Sequence, residues 1–176
     1  MKPILTYQNL KKYFVVGHKD LLKREPITVK AVDGVSFEVI EGEVFGLVGE
    51  SGSGKSTVAY TTIGMYTPTS GRIEFRGENL FSQNGERPNH IKKEIQIVFQ
   101  DPGSSLNPRH NIKQILELPL KIHRPNVNRL EEVARLLEMV ELPLELMHKY
   151  PRVLSGGEKQ IVAIARALAT DPSFII

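Results

Sequence analysis

The sequence predicts an α/β fold, and three observations carry the prediction. The first fifty residues are mainly strand-forming, a glycine-rich loop at 49–57 separates a strand pattern from a helix pattern, and residues from about 101 to 155 read as helices inserted between parts of a sheet. At 176 residues, 40% hydrophobic and 24% charged, the chain can bury the core of one ordinary domain.

Residues 4–10 alternate loosely, and Lys12, Tyr13, Phe14 and Val15 continue in β-favouring types, so the chain is expected to begin with a strand. Residues 17–28 carry charge and Pro26 without periodicity, which predicts a loop. Residues 35–39 alternate cleanly, and Glu41-Gly42 is a turn signal before a short buried strand at 43–48. A helix from about Lys55 is expected to end between Gly64 and Pro68, where Thr67-Pro68-Thr69-Ser70-Gly71 is turn chemistry. Residues 72–76 form another strand, 77–89 a connection, and 95–100 a short apolar strand that stops at Asp101-Pro102-Gly103.

The next stretch is helical. Asn111 caps a helix through Leu118, and Asn128 with Glu131 caps the next, whose Leu130, Val133, Leu136, Leu137 and Val140 form one core-facing stripe. Pro143 begins a further short turn. Ser155 and Glu158 have the spacing of a capping box opening a helix to about Ala169, with Ile161, Ile164, Ala165 and Leu168 on one face. Phe174-Ile175-Ile176 reads as the first half of a buried strand.

Gly49-Glu50-Ser51-Gly52-Ser53-Gly54-Lys55-Ser56-Thr57 satisfies G-x-x-x-x-G-K-[ST] in the strand, loop, helix order that a phosphate-binding loop requires. Glycine lets the backbone approach a ligand and point successive N–H groups into one concavity, and the helix N-terminus adds unpaired amides. In that frame Lys55 reaches the β- and γ-phosphates, the Ser56 hydroxyl holds Mg2+, and Thr57 lies near the α-phosphate. At the second motif, Leu154-Ser155-Gly156-Gly157-Glu158, a cap alone needs no two adjacent glycines, whereas a helix end stripped of side chains is suited to meeting an anion.

Composition narrows the classes. The chain has no cysteine, which excludes disulfides, thiolate metal sites and cysteine nucleophiles, and its five histidines do not pair at ligand spacing. No run reaches the length of a membrane span, and the residues after Met1 have no signal-peptide core, so a soluble chain is expected. Net charge is +3, yet through residue 30 seven basic side chains face Asp20 and Glu25, a local balance of +5 that reads as a solvated loop ahead of a lipid or nucleic-acid contact.

The phosphate loop, a strand ending in Gln100 and the downstream Leu154-Ser155-Gly156-Gly157 together resemble the nucleotide-binding domain of ATP-binding cassette (ABC) proteins over essentially the whole chain. The resemblance implies a P-loop NTPase core with an amino-terminal antiparallel β region and an inserted helical subdomain, incomplete at the carboxyl end. The implied division is 1–100 for the β region and phosphate-loop core, 101–155 for the helical subdomain, and 156–176 for the signature helix and the start of the next core strand.

Lys30-Ala31-Val32-Asp33-Gly34-Val35-Ser36-Phe37, Phe99-Gln100-Asp101-Pro102 and Ser105-Leu106-Asn107-Pro108-Arg109 look like importer ATPases for oligopeptides, dipeptides or nickel, with glutathione a neighbouring option. By that resemblance Tyr13 stacks on adenine, with Phe14 competing for the role, and Gln100 approaches Mg2+ and the attacking water. Ser155 and Gly157 contact the γ-phosphate of ATP held by a second ATPase domain, and Gly156 and Glu158 belong to the same nucleotide-binding motif. This implies ATP and Mg2+ as cofactors, a head-to-tail dimer, two transmembrane permease subunits, an extracellular solute-binding protein acting indirectly, and a place on the cytoplasmic face of the cell membrane.

Glu158 and Ile161 depart from the family's common glutamine and arginine. The aspartate and glutamate that end the family's strand after Phe174-Ile175-Ile176, and a later histidine, are not found here, so the resemblance implies a truncated ATPase with little hydrolysis. A DNA-associated ABC ATPase shares both motifs, but only the basic amino terminus supports it, and no nucleic-acid partner is expected. A module that uses ATP only to dimerise stays open; a simple P-loop kinase would leave residues 154–160 unexplained.

Overall fold

A computed structural model describes residues 2–18, 26–82 and 84–176. The chain forms two compact units, Met1–Ile91 and Lys92–Ile176. Of the basic amino-terminal residues, Lys19, Lys23 and Arg24 lie outside the described residues.

The first unit is built on a four-stranded antiparallel sheet. Strands β1 (Pro3–His18), β2 (Pro26–Ile40), β3 (Ser70–Phe75) and β4 (Glu78–Asn79) stand in the order β2-β1-β3-β4. One helix, α1 (Lys55–Thr62), follows the glycine loop. Leu5, Leu10, Ile73 and Leu80 are fully buried here, and each such side chain contributes roughly 1.5–3 kcal/mol relative to exposure. Tyr7 donates its hydroxyl to Thr62 Oγ1 at 2.7 Å while that hydroxyl donates to the Val58 carbonyl, which fastens β1 to the end of α1. Burial pushes the Tyr7 phenol up to about 12.

Two sequence expectations fail in this unit. Residues 17 and 18 belong to β1 and 26–28 to β2, paired Gly17↔Ile27 and Val15↔Thr28, where the sequence predicts a loop; residues 19–25 lie outside the described residues. Pro26 fits because the first residue of a strand can lack an N–H. Residues 43–48 form no strand and are exposed, Val44 and Val48 almost completely. An apolar run of this kind suits a strand flanked on both sides, and among the described residues no strand pairs with it. The expected connection at 77–89 also holds the short β4, registered against β3 by Glu74↔Asn79.

Helix α2 (Asn89–Glu94) leads into the second unit. There β5 (Ile95–Gln96) pairs in parallel with β6 (Phe174–Ile175). The predicted strand to Gln100 is therefore shorter, although Val98 N–H still reaches the Ile176 carbonyl at 2.8 Å. Ile175 is exposed rather than buried, because this two-stranded pair gives it no covering layer.

Asp101 does not end the order. Its carboxylate caps α3 (Pro102–Ser105), accepting from the Gly103 N–H at 2.9 Å. Helix α4 (Ile112–His123) begins with a reciprocal Asn111–Gln114 capping box and runs beyond the predicted Leu118, through Pro119, because Leu120, one turn after the buried Leu116, is itself fully buried. Helix α5 (Arg129–Met139) buries Val133, Leu136 and Leu137 as predicted, with Val140 partly buried, whereas Leu130 on the first turn is exposed. The expected turn after Pro143 is a 3-10 helix at Leu144–His148, and a second covers Pro151–Val153.

Helix α6 (Gly156–Leu168) buries Val162, Ala163, Ala165 and Ala167. The predicted face is rotated: Ile161 and Ile164 are half-buried, because alanines give the close approach that α4 and α5 require. Arg166 reaches across to the Ser105 carbonyl and locks α3 against α6.

Candidate functional site: a phosphate-loop cleft and a glycine helix end

The glycine loop closes on itself before it meets α1. Ser53 N–H bonds the Glu50 carbonyl at 3.2 Å, and Gly54 sits at the helix N-cap with φ +94°. A Cβ on Gly54 would lie 2.2 Å from the Ala31 carbonyl oxygen of β2, so this glycine is required by space as well as by conformation. No side chain caps α1, which leaves its first amides as donors.

Lys55 folds back over the loop. Its ammonium donates to the Gly49 carbonyl at 2.8 Å, the Glu50 carbonyl at 2.6 Å and Ser53 Oγ at 3.2 Å. Ser56 is exposed on the first turn and Thr57 half-buried beside it; Ser51 and Gly52 are exposed at the loop tip. A cleft of about 340 Å3 opens here, and Gly49, Gly54, Lys55, Val32, Lys30 and Asp33 are among the residues lining it.

The far wall of the cleft comes from a β-bulge. The β1–β2 register passes from Lys12↔Val32 to Tyr13↔Lys30 and so skips Ala31. In a regular strand residues 30 and 33 face opposite ways; the extra residue puts Lys30 and Asp33 on one face, against Tyr13 and Lys11. Tyr13 donates its hydroxyl to Asp33 Oδ1, Lys30 Nζ is 3.3 Å from Asp33 Oδ2, and Lys11 Nζ is 4.0 Å from Asp33 Oδ1. The Lys30 ammonium also lies 5.4 Å from the centroid of the Tyr13 ring. The Tyr13 hydroxyl and then Lys30 hold the Asp33 carboxyl below its ordinary range; Asp33 in turn raises both Tyr13 and Lys30. Phe14, the competing aromatic, is engaged elsewhere, edge-on to Tyr66 at 5.0 Å.

Sequence reasoning missed Lys30, Ala31 and Asp33 as parts of this wall. A bulge breaks the two-residue period on which strand faces are read, so no periodic signal marked them.

The donor set fits a nucleotide: uncapped helix amides, an ammonium and a glycine loop with no side chain at its Gly52 tip. For Mg2+ the loop offers the Ser56 hydroxyl, and among the described residues no group of three or more His, Asp or Glu could hold a metal.

In the second unit Gln100 is exposed at the bend before α3. The glycine helix end is capped as predicted: Glu158 Oε2 accepts from the Ser155 N–H at 2.8 Å, and Ser155 Oγ accepts from the Glu158 N–H at 3.2 Å. These contacts hold the Glu158 carboxyl below its usual range. Gly156 and Gly157 are exposed between them with open space where side chains would be. The structure thus gathers Gly49 to Thr57 in the first unit, and Gln100 with Ser155 to Glu158 in the second.

A family model described as "ABC transporter" matches residues 32–176. The chain is 42% identical to the putative oligopeptide transport ATP-binding protein YkfD of Bacillus subtilis, over 99% of this chain and 52% of that one. It is 42% identical to the dipeptide transport ATP-binding protein DppF of Haemophilus influenzae, over 99% of this chain and 53% of that one. Among solved structures, the ATP-binding cassette MJ0796, described as dimeric, in a post-hydrolysis state and bound to ADP and Pi, matches with a TM-score of 0.79 and 28% identity. That match covers 97% of this chain and 72% of MJ0796. The chain spans about half the length of the curated relatives it matches.

Proposed function

From the premise that this chain belongs to the ABC transporter family, we propose that it is the ATP-binding part of an importer that couples ATP binding and hydrolysis to uptake of peptides. The observation that carries the nucleotide reading is the cleft lined by Gly49, Ser53, Gly54 and Lys55 at the uncapped start of α1. The relatives' names as oligopeptide and dipeptide transport proteins support peptides as the solute class.

In this reading ATP lies with its phosphates on Gly49 to Thr57 and its base toward Tyr13. Ser56 holds Mg2+, and Gln100 has the part of orienting the attacking water. Ser155, Gly156 and Gly157 bind the γ-phosphate carried by a second ATPase subunit in a head-to-tail dimer, and Glu158 holds Ser155 in its capping geometry. The description of MJ0796 as dimeric and bound to ADP and Pi supports a nucleotide-binding dimer. Two transmembrane permease subunits carry the solute path, with an extracellular solute-binding protein upstream, and the ATPase works at the cytoplasmic membrane face. Among the described residues no helix is long and apolar enough to cross a membrane.

Calorimetric titration with Mg-ATP tests the reading, on the chain and on Lys55→Ala, with circular dichroism on both. Removing a charge-assisted contact is expected to weaken binding by about 10- to 150-fold while the fold is kept. Unchanged affinity in a folded Lys55→Ala protein would overturn it.

A further inference from the structure

The wall opposite the phosphate loop contains a carboxylate that the nucleotide reading does not use. Asp33 faces the cleft, yet a carboxylate repels phosphate, so its place beside Lys55 and the loop glycines calls for another purpose. Its partners supply one. Asp33 takes the Tyr13 hydroxyl on one oxygen and the Lys30 ammonium on the other, with Lys11 alongside. Lys30 in turn lies over the Tyr13 ring. The bulge at Ala31 brings all four side chains to one face, and the same bulge carries the carbonyl that abuts Gly54.

We propose that Asp33 is a positioning residue for base recognition: by anchoring the Tyr13 hydroxyl and drawing Lys30 across the ring, it fixes the aromatic plane on which the purine of ATP is received. The proposal rests on the reading that phosphates sit on the loop and the base extends toward Tyr13. An exposed tyrosine is free to rotate about two side-chain torsions, and a base that stacks on it bears the cost of fixing them. A hydroxyl already tied to a carboxylate, itself neutralised by two lysines, removes that cost before the ligand arrives. The two lysines also offset the repulsion between Asp33 and the triphosphate.

The test separates base from phosphate. Mg-ATP and Mg-tripolyphosphate are titrated into the full 176-residue chain and into Tyr13→Ala, Tyr13→Phe, Asp33→Asn and the Tyr13→Phe/Asp33→Asn double variant, each checked by circular dichroism. Tyr13→Ala is expected to weaken ATP by about 5- to 100-fold, the range of a lost base–aromatic stack, and to leave tripolyphosphate within about twofold. Asp33→Asn and Tyr13→Phe are each expected to weaken ATP by about 2- to 10-fold, the range of one hydrogen bond. The double variant should lose no more than either single one, since both remove the same contact.

A general structural role for Asp33 predicts instead equal losses for ATP and tripolyphosphate, or additive losses in the double variant, and either overturns the proposal. If Tyr13→Ala binds ATP as the unaltered chain does, the base does not reach Tyr13 and the underlying reading falls. If Tyr13→Ala loses ATP while Asp33→Asn does not, only the positioning role falls. A folded, unaltered chain that binds neither ligand overturns both.

Discussion

Replacing Gly54 by alanine tests the most crowded point of the cleft. The residue has φ +94°, and an added Cβ would stand 2.2 Å from the Ala31 carbonyl oxygen. Left-handed backbone costs a non-glycine residue about 1–2 kcal/mol. The clash adds to that, because restoring ordinary contact requires the loop and β2 to part by about 1 Å, and the obstacle is backbone. A displacement of that size at a phosphate cradle is expected to weaken Mg-ATP binding by about 100-fold.

Two other glycines serve as internal comparisons. Gly52 has φ +82° but open space around its Cβ position, so Gly52→Ala should show the conformational cost alone, about 1–2 kcal/mol. Gly156 has open space and no positive φ, so Gly156→Ala on the first turn of α6 should be neutral or stabilising by up to about 1 kcal/mol. Denaturant unfolding ranks the three for stability, and calorimetry reads ATP affinity for the two loop variants. Equal behaviour of Gly54→Ala and Gly52→Ala in both assays would refute the argument from the Ala31 contact.

Two further outcomes follow from capping and charge. Ser155→Ala removes one half of the capping box on α6 and should cost about 1 kcal/mol in denaturant unfolding, whereas Glu158→Gln keeps an acceptor for the Ser155 N–H and should cost less. Glu132 is held below its ordinary range first by Arg135 and then by Arg124, 2.9 Å and 2.8 Å away. Because its folded-state pKa is depressed, its contribution is complete above the ordinary glutamate value and is lost as pH falls through the lowered one. Glu132→Gln should therefore cost about 1 kcal/mol at neutral pH and show a shallower decline in acid; parallel stability curves for the two proteins would contradict this.

The helical half of the fold was legible because its signals are local. Asn111, Asn128 and Ser155 each cap the helix that the sequence assigns to them, since a cap needs only residues within one turn. Strand predictions failed where the answer lay in a distant partner. Residues 43–48 have the composition of a core strand, but strand structure requires a neighbour that the described residues do not supply. Residues 17–18 and 26–28 lack alternation and are strand because they pair with each other. The glycine loop was readable as a motif; the wall facing it was hidden by a bulge that shifts the face of every residue beyond Ala31.

The grip of Arg166 on Ser105 gives the second unit a mechanical property. Segment 97–104, with Gln100 in its middle, is held at one end by the Val98 and Ile176 ladder contacts and at the other by Arg166. Both restraints lead to the carboxyl end of α6, directly or through β6. Gln100 therefore stands in a stretch of chain tethered on both sides to the segment around the carboxyl end of α6.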